Sequence, residues 1–302
     1  MEQNSAKWGV LKHWSEMIKL EHTLFSLPFV LSASLLAIIY QVHDYSNWFS
    51  LVWVVLALFA ARSAGMTLNR IFDAKIDADN PRTQERQIPQ GLITKKQAWF
   101  FAIASLIVLV FAALKLPSIC IKLAPIAFIW LFAYSFLKRF TWLCHFFLGT
   151  TLGGATYAGW IAVTGSAFGQ DGSFLWVPIY FALAVSFWVS GFDIYYSLQD
   201  ENFDKDAKLY SVPSVFGAQK AKMIARFCHF LTPVFLYLTA DALNLGLSFK
   251  IGIVLVIACL IYEQKLVNQG KIEKAFFTIN TWISVLIFAF TLVEFLLGAS
   301  HS

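Results

Sequence analysis

Long apolar segments recur along the whole chain and constrain the fold more than any other feature. A helix needs about 20 mostly apolar residues to cross the hydrocarbon core of a bilayer. By this criterion the sequence contains nine candidate spans joined by short segments. It therefore predicts an all-α, polytopic membrane protein, a bundle of nine transmembrane helices. The spans cover residues 23–42, 47–68, 97–114, 119–137, 142–164, 174–192, 221–242, 247–264 and 275–297.

Composition excludes a water-soluble fold. Hydrophobic residues make up 58% of the chain and charged residues only 14%, whereas soluble domains carry about 25% charged residues. Too few polar side chains remain to cover a surface that faces water. The four cysteines stand singly, with no CxxC pair, so neither a zinc site nor a disulfide framework is indicated. Membrane lipid is therefore the expected solvent, and no nucleic acid is expected as a partner.

The first 22 residues differ from the rest of the chain because charged and apolar residues alternate there. This pattern is typical of an amphipathic helix at the membrane interface, and it lacks the layout of a cleavable signal sequence. We predict an interfacial helix over residues 1–22 and a single nine-helix domain over residues 23–302. The alternating residues are Glu2, Lys7, Trp8, Leu11, Lys12, Trp14, Glu16, Ile18, Lys19, Leu20 and Glu21.

Basic residues concentrate in alternate connections. Eighteen of the 23 lie before span 1, in the loops that follow spans 2, 4, 6 and 8 or, in the case of Lys222, at the very start of span 7. Because positively charged loops stay in the cytoplasm, the amino terminus and these loops are expected to be cytoplasmic and the carboxyl terminus outside. An odd number of spans satisfies this orientation. The expected location is the inner (cytoplasmic) membrane of a bacterium.

Half of the acidic residues, nine of 18, lie in two of these cytoplasmic loops. In the first, Asn69, Asp73 and Asp77 follow one another at intervals of four residues. If span 2 continues as a helix, all three project from one face. The second repeats this one-sided pattern over three turns, with Asp193, Tyr196, Asp200 and Asp204.

Carboxylates stacked in this way repel one another, and a bound divalent cation would remove the conflict. A set of oxygen ligands without Cys or His favours Mg²⁺, which usually binds one or two carboxylates together with water and substrate phosphate. Ordinary solvated acidic turns are the alternative, but they give no reason for the repeated spacing. Basic residues follow both rows and would suit a diphosphate, although they could also serve only to set the topology. They are Lys75, Arg82, Arg86, Lys205 and Lys208.

Two rows of carboxylates that could bind Mg²⁺, at the end of an apolar helix bundle, predict a substrate with a diphosphate head and a hydrocarbon tail. The motifs resemble those of the UbiA superfamily of intramembrane aromatic prenyltransferases. Asn69 begins an NxxxDxxxD signature with an RTxxRxxPxG-like tail from Arg82, and Asp193 begins a DxxYxxxDxxxD signature. Residues 210–217 and 134–141 are similar to two further family elements.

The resemblance implies that the carboxylates hold two Mg²⁺ ions against a polyprenyl diphosphate. Asp193 and Tyr196 would line the same cavity, and the stretch from Ser197 to Asp200 looks closest to 4-hydroxybenzoate polyprenyltransferases and their menaquinone-pathway relatives. The implied metal ligands are Asn69, Asp73, Asp77, Asp200 and Asp204, and the implied catalytic acids are Asp73, Asp77, Asp193, Asp200 and Asp204. The implied diphosphate and acceptor contacts are Asn69, Lys75, Arg82, Arg86, Lys208, Tyr196, Arg139 and Arg62.

The chain departs from the family pattern in its first signature. Arg70 stands where Asp is common, and Ala74 stands where the family often has Arg. A positive charge is therefore missing at position 74, and Arg70 or Lys75 would have to replace it.

The implied reaction is ionisation of the allylic diphosphate and attack by the aromatic carbon ortho to a phenol, in quinone (ubiquinone or menaquinone) biosynthesis. The carboxylate of 4-hydroxybenzoate needs a cation, with Arg139 the first choice and Arg62, an arginine within span 2, the second.

Another aromatic acid of a menaquinone pathway remains an alternative acceptor, and the pattern does not fix the prenyl length. A secondary transporter and a CDP-alcohol phosphotransferase are alternatives from other classes, but the sequence contains neither an inverted repeat nor a DGxxAR stretch. Gly153 and Gly154 are expected to allow close packing of helices.

Overall fold

The computed structural model shows an almost entirely helical chain. In the part that the structure describes, the one β-type pairing is a single bridge between Phe168 and Phe174. The all-α prediction is therefore confirmed. The structure describes residues 2–19, 23–42, 48–169 and 171–299, and for residues 2–8, 23–25, 298 and 299 it describes the backbone alone.

The α-helices of these residues follow one another with short connections. Two of them continue as short π-helical turns, and one is continued by a 3₁₀ turn. The helices are α1 (Glu2–Met17), α2 (Thr23–Ala37, continued by Ile38–Val42), α3 (Phe49–Asp79), α4 (Lys95–Leu114), α5 (Ser118–Leu137), α6 (Cys144–Thr164), α7 (Val177–Ser197, continued by Leu198–Asp200), α8 (Glu201–Asp206), α9 (Val212–Ala242), α10 (Leu247–Asn268), α11 (Ile272–Lys274) and, after a π turn at Ala275–Ile279, α12 (Asn280–Ala299).

Among the described residues, seven helical segments are long and apolar enough to cross a membrane. They are α3, α4, α5, α7 with α8, α9, α10, and α11 with α12. Helices α2 and α6 occupy the other two expected positions, but α2 with its π turn forms only a shorter apolar helix, Ser26–Val42. The count of nine spans stays a prediction. Large apolar side chains on the outer face are well exposed, including Phe100, Ile107, Ile129, Phe230 and Ile261, as lipid contact requires.

Two helices extend beyond their apolar segments and carry the acidic rows with them. Helix α3 has 31 residues and is about 46 Å long, whereas the hydrocarbon core is about 30 Å thick. Its last three turns therefore carry Asn69, Asp73 and Asp77 out of the apolar region. Asp193 lies on α7, and Asp200 and Asp204 follow on the 3₁₀ turn and α8. The acidic rows are thus helix extensions, and the irregular connections are residues 80–94 and 207–211.

Small residues bring α6 and α7 together. A Cβ atom at Gly149 would overlap the Ser186 carbonyl, and one at Gly153 would overlap Ser186 Oγ and the Ala182 carbonyl. Gly154 behaves differently, because a Cβ atom there would meet nothing within 4 Å. The packing prediction is confirmed for Gly153. It is wrong for Gly154, the next residue along α6, which lines an internal cavity.

Gly149→Ala is expected to destabilise the bundle by about 1–3 kcal/mol, the usual cost of overpacking, because Ser186 contributes backbone that cannot rotate away. Thermal unfolding in detergent measures the effect. Gly154→Ala is the matched control and should unfold at the wild-type temperature. Equal unfolding temperatures for both variants would contradict the packing assigned to α6 and α7.

The bundle has a densely packed half and an open half. Helices α2, α6, α7, α9, α10 and α12 share one continuous hydrophobic core. Within it, Trp188 Nε1 donates to Asn280 Oδ1 at 2.7 Å, and Asn280 Nδ2 donates to Glu263 Oε1 at 3.1 Å. This buried polar chain joins α7, α12 and α10. A large cavity opens between α3, α5 and α6, although α3 and α6 share a small apolar cluster that includes Leu58 and Ala162. Helix α7 therefore borders the packed half on one side and an open interior on the other.

Helix α1 lies against α3, close to the first acidic row, and against the first turns of α4. Trp14 donates from Nε1 to Thr67 Oγ1 at 3.3 Å and stacks on Phe101 with the ring centroids 4.9 Å apart. The interfacial position of this helix and the domain boundary remain predictions. Residues 20–22, where the interfacial segment was predicted to end, and residues 300–302 at the carboxyl terminus lie outside the described residues.

Candidate active site

A cavity of about 810 Å³ lies between α3, α5, α6 and α7. Its inner part is apolar and its rim, at the end where both acidic rows lie, is strongly charged. Nearly all of the predicted site residues line this one cavity. They are Arg62, Asn69, Asp73, Asp77, Arg82, Arg86, Arg139, Asp193, Tyr196 and Asp200.

The first acidic row faces the cavity from the end of α3. Asn69 Nδ2 donates to Asp73 Oδ2 at 2.8 Å, and Arg139 Nη2 donates to Asp73 Oδ1 at 2.9 Å. One turn later, Arg86 Nη1 donates to Asp77 Oδ1 at 2.6 Å. The segment after α3 therefore folds back over the helix and places Arg86 against the row that precedes it.

The second row meets the same segment. Arg82 donates from Nε and Nη2 to the two oxygens of Asp200 at 2.8 and 2.6 Å, and Asn80 Nδ2 donates to Asp200 Oδ1 at 3.2 Å. The guanidinium also lies 5.3 Å from the ring centroid of Tyr196. Burial lowers the pKa of Arg82, but the hydrogen bonds and charge of Asp200 outweigh burial and raise that pKa overall.

The remaining two acids have different partners. Asp204 is fully buried, does not line the cavity, and forms an ion pair of 2.7 Å with Lys138. Asp193 Oδ2 lies 2.7 Å from His145 Nδ1, at the deeper end of the second row. Among the described residues, each of the five acids thus has its own cationic or imidazole partner, and no three His, Cys, Asp or Glu side chains converge on one point.

The residues fit a hard divalent cation. Asp77 Oδ2 is buried and accepts no hydrogen bond from the described residues, so an acceptor oxygen remains for a ligand. The other oxygens facing the cavity belong to Asn69, Asp73 and Asp200, the donor chemistry that Mg²⁺ prefers. Because Mg²⁺ fills most of its coordination with water and phosphate, one or two carboxylates for each ion suffice.

Lys75 and Lys208 are not in the main cavity. They are exposed and line a second, shallower cavity of about 640 Å³, together with Asp79, Asp206 and the outer side of Arg139. Arg70, in contrast, is buried, lines the main cavity and donates to Asn69 Oδ1 at 3.2 Å. Of the two candidates for the cation missing at position 74, Arg70 is the one that lines the main cavity, next to the first acidic row.

The two arginines proposed for the acceptor differ in their surroundings. Arg139 is already engaged, since it donates to Asp73 and to the Phe72 carbonyl, each at 2.9 Å. Arg62 lines the apolar part of the cavity, its Nε is buried without a hydrogen-bond partner, and no ion pair to it occurs among the described residues. Arg62 is therefore the cation available to a bound anion.

Sequence reasoning missed several polar residues of the site. Asn80 and Lys138 each contact an acid of the second row, and Lys19, at the end of the α1 segment, lines the cavity. Burial and the neighbouring Arg70 and Arg86 lower the pKa of Lys19. His145 was overlooked although a histidine at the start of an apolar span is unusual enough to be a functional signal.

Comparison with known proteins identifies the family. The UbiA prenyltransferase family matches residues 29–293, most of the chain. The chain belongs to the UbiA prenyltransferase family. It is an integral membrane enzyme that transfers prenyl groups, which decides against the transporter and the CDP-alcohol phosphotransferase.

Two relatives illustrate how far this similarity extends. The 4-hydroxybenzoate octaprenyltransferase of Saccharophagus degradans is 30% identical over 250 residues, 82% of this chain and 81% of the relative. The 4-hydroxybenzoate octaprenyltransferase of Vibrio campbellii is 25% identical over 286 residues, 94% of this chain and 98% of the relative.

Solved structures share the fold. A UbiA homologue from Aeropyrum pernix K1, solved in its apo form, has a TM-score of 0.81 and 28% identity, and the match covers 91% of this chain and 98% of the homologue. A UbiA homologue from Archaeoglobus fulgidus, bound to DMAPP and Mg²⁺, has a TM-score of 0.71 at 19% identity, covering 93% and 98%. The predicted membrane bundle is thus a UbiA prenyltransferase fold.

Proposed function

We propose that this UbiA prenyltransferase transfers a polyprenyl group from polyprenyl diphosphate to 4-hydroxybenzoate, ortho to the hydroxyl, with Mg²⁺ as cofactor. The observation that carries the proposal is a cavity with a rim of paired acids and cations and an apolar interior that holds Arg62, an arginine without an ion-pair partner among the described residues. The rim suits a diphosphate and the interior a hydrocarbon tail. The unpaired arginine suits an aromatic carboxylate. The names of the two relatives support the choice of acceptor.

The rim cations would exchange partners when substrate enters. Arg82 and Arg86 hold Asp200 and Asp77 at 2.6 Å, and such pairs keep the carboxylates from repelling one another. Bound Mg²⁺ would neutralise the leaving diphosphate, with Asn69, Asp73, Asp77 and Asp200 as its proposed ligands. Asp204, also expected as a ligand from the sequence, is buried outside the cavity and paired with Lys138, so we do not include it. Arg82 and Arg86 then turn to the diphosphate oxygens, where their charge favours cleavage of the allylic C–O bond.

The apolar part of the cavity protects the allylic cation from water. Trp130, Leu131, Tyr134, Phe192 and Phe276 line it. Aromatic faces stabilise nearby positive charge by about 0.5–2 kcal/mol each, and exclusion of water prevents hydrolysis of the cation. The electron-rich ring carbon of the acceptor is then the nucleophile within reach.

Purified protein in detergent, given Mg²⁺, radiolabelled polyprenyl diphosphate and 4-hydroxybenzoate, is expected to form an apolar labelled product. Chelation of Mg²⁺ should abolish its formation. A panel of other aromatic acids, including menaquinone-pathway intermediates, is assayed in parallel. Preferential prenylation of another acid would replace the proposed acceptor, and absence of product with every acid would refute the proposed function.

We further propose that the rim of the cavity faces the cytoplasm across a bacterial inner membrane. Four of its cations, Arg82, Arg86, Lys138 and Arg139, come from connections that the charge distribution assigns to the cytoplasmic side. A soluble aromatic acid would then enter from the cytoplasm, while the polyprenyl tail enters from the lipid.

A further inference from the structure

His145 and Asp193 form a pair unlike the other four acid pairs of the site. Asp73, Asp77, Asp200 and Asp204 are each held by an Arg guanidinium or a Lys ammonium group. Asp193 is held by an imidazole instead, with 2.7 Å between His145 Nδ1 and Asp193 Oδ2. The histidine side chain is only 4% exposed, whereas 23% of the aspartate side chain is open.

The backbone of α9 settles the orientation of the imidazole. Val212 N, at the first position of α9, donates a hydrogen bond of 3.2 Å to His145 Nε2. Nε2 is therefore the unprotonated nitrogen, and Nδ1 carries the proton that it donates to Asp193 Oδ2. The second oxygen, Oδ1, has no hydrogen-bond partner among the described residues. Asp193 is thus a carboxylate held by one oxygen, with the other available to the cavity that it lines.

The position of Asp193 separates it from the diphosphate end. It precedes Asp200 by seven residues, about 10 Å along the helix. Arg62 precedes Asn69 by the same seven residues on α3. Both helices run toward the charged rim, so Arg62 and Asp193 each lie deeper in the cavity than the acids that follow them on the same helix. Asp193 therefore lies on the same side of the rim as Arg62, the side from which an acceptor bound by Arg62 would approach the diphosphate.

We infer that Asp193, oriented by His145, accepts the proton that leaves the aromatic ring. The inference rests on the proposed function. The allylic C–O bond breaks with its electron pair going to diphosphate, and a ring π pair forms the new C–C bond. The C–H pair at the attacked carbon then returns to the ring, and the proton passes to Asp193 Oδ1. His145 keeps its own proton on Nδ1 and acts as a positioning residue.

Asp193→Asn, assayed with 4-hydroxybenzoate deuterated at both positions ortho to the hydroxyl, tests the inference. In the wild type, ionisation limits the rate and no ring isotope effect is expected. In the variant, kcat should fall about 100-fold, the lower range for loss of a general base, and a ring isotope effect should emerge. KM and direct binding of polyprenyl diphosphate should not change. Asp171→Asn, fully exposed in the connection before α7, is the matched control.

Two variants of His145 test its positioning role. His145→Asn retains a donor near the Nδ1 position and should keep part of the activity, whereas His145→Leu should reproduce the kcat loss and the isotope effect of Asp193→Asn. A rate within threefold of wild type for Asp193→Asn, or a slow reaction without an isotope effect, would overturn the inference and assign the proton to diphosphate. Loss of polyprenyl diphosphate binding would overturn it as well, by placing Asp193 in the diphosphate site.

Failure of the proposed function gives a different result. If the wild type prenylates another aromatic acid of the panel in place of 4-hydroxybenzoate, the proposed acceptor is wrong. The same comparison, made with the ring-deuterated form of that acid, then supports or overturns the role of Asp193 by the same criteria.

Discussion

Asp73→Asn and Asp200→Asn are each expected to lower the rate of prenyl transfer by about 1,000-fold, the upper range for loss of one group that stabilises developing charge. Each variant keeps the size of the side chain and removes its negative charge. Asp73 lies 2.9 Å from Arg139, and Asp200 lies 2.6 Å from Arg82. The change therefore removes a charged ligand from the proposed metal site. It also leaves the partner arginine without the carboxylate that holds it before substrate binds. Initial rates at increasing Mg²⁺ concentration measure the effect, and half-maximal rate should require more Mg²⁺ than in wild type.

The chain offers matched controls for both acids. Asp79 and Asp206 are exposed, lie within six residues of the mutated positions and do not line the main cavity. Asp79→Asn and Asp206→Asn should retain the wild-type rate and Mg²⁺ dependence. If Asp73→Asn and Asp200→Asn behave like these controls, the assignment of the metal ligands to the two rows is wrong.

The membrane fold could be predicted well because each spanning helix must be apolar over a length that matches the thickness of the bilayer. This requirement acts on each segment separately and can be recognised in the sequence. The ends of the helices could not be predicted in this way. Helix α3 continues to Asp79 and α9 begins at Val212, beyond the expected limits of 68 and 221. Backbone hydrogen bonds favour continuing a helix outside the apolar region, and hydropathy does not measure them.

The acidic rows could be predicted because their geometry is local. Residues four apart share one face of any helix, so Asn69, Asp73 and Asp77 had to project together. The partner of each acid is a tertiary property. Arg82 and Asp200 are separated by 118 residues, and no spacing rule indicates which cation meets which acid. For the same reason Lys75 and Lys208 were predicted as diphosphate contacts, whereas the fold places them on the second cavity.

The acceptor cation shows what the structure adds. From the sequence, Arg139 was the first choice for this role and Arg62 the second. The contacts reverse this order, because Arg139 is engaged with Asp73 and Arg62 has no ion-pair partner among the described residues. A buried arginine without a partner is costly in a membrane, so a bound carboxylate would relieve a cost that the unliganded enzyme carries.

Arg62→Gln is accordingly expected to raise KM for 4-hydroxybenzoate by about 10- to 100-fold, the loss of a charge-assisted hydrogen bond worth about 1.5–3 kcal/mol. KM for polyprenyl diphosphate should stay near the wild-type value, because Arg62 lies about 10 Å along α3 from Asn69. The decisive measurement compares 4-hydroxybenzoate with phenol, which lacks the carboxylate. Wild type should prefer the acid strongly, and Arg62→Gln should lose most of that preference.

Arg226→Gln is the matched control, because Arg226 is an exposed arginine on α9, outside the cavity, and its loss should leave both KM values unchanged. Arg139→Gln separates the two candidate cations. Since Arg139 holds Asp73, its loss should lower kcat and change the Mg²⁺ dependence while the preference for the acid over phenol persists. If the preference disappears in Arg139→Gln and persists in Arg62→Gln, the acceptor carboxylate binds at the rim beside Asp73, and the acceptor assignment to Arg62 is wrong.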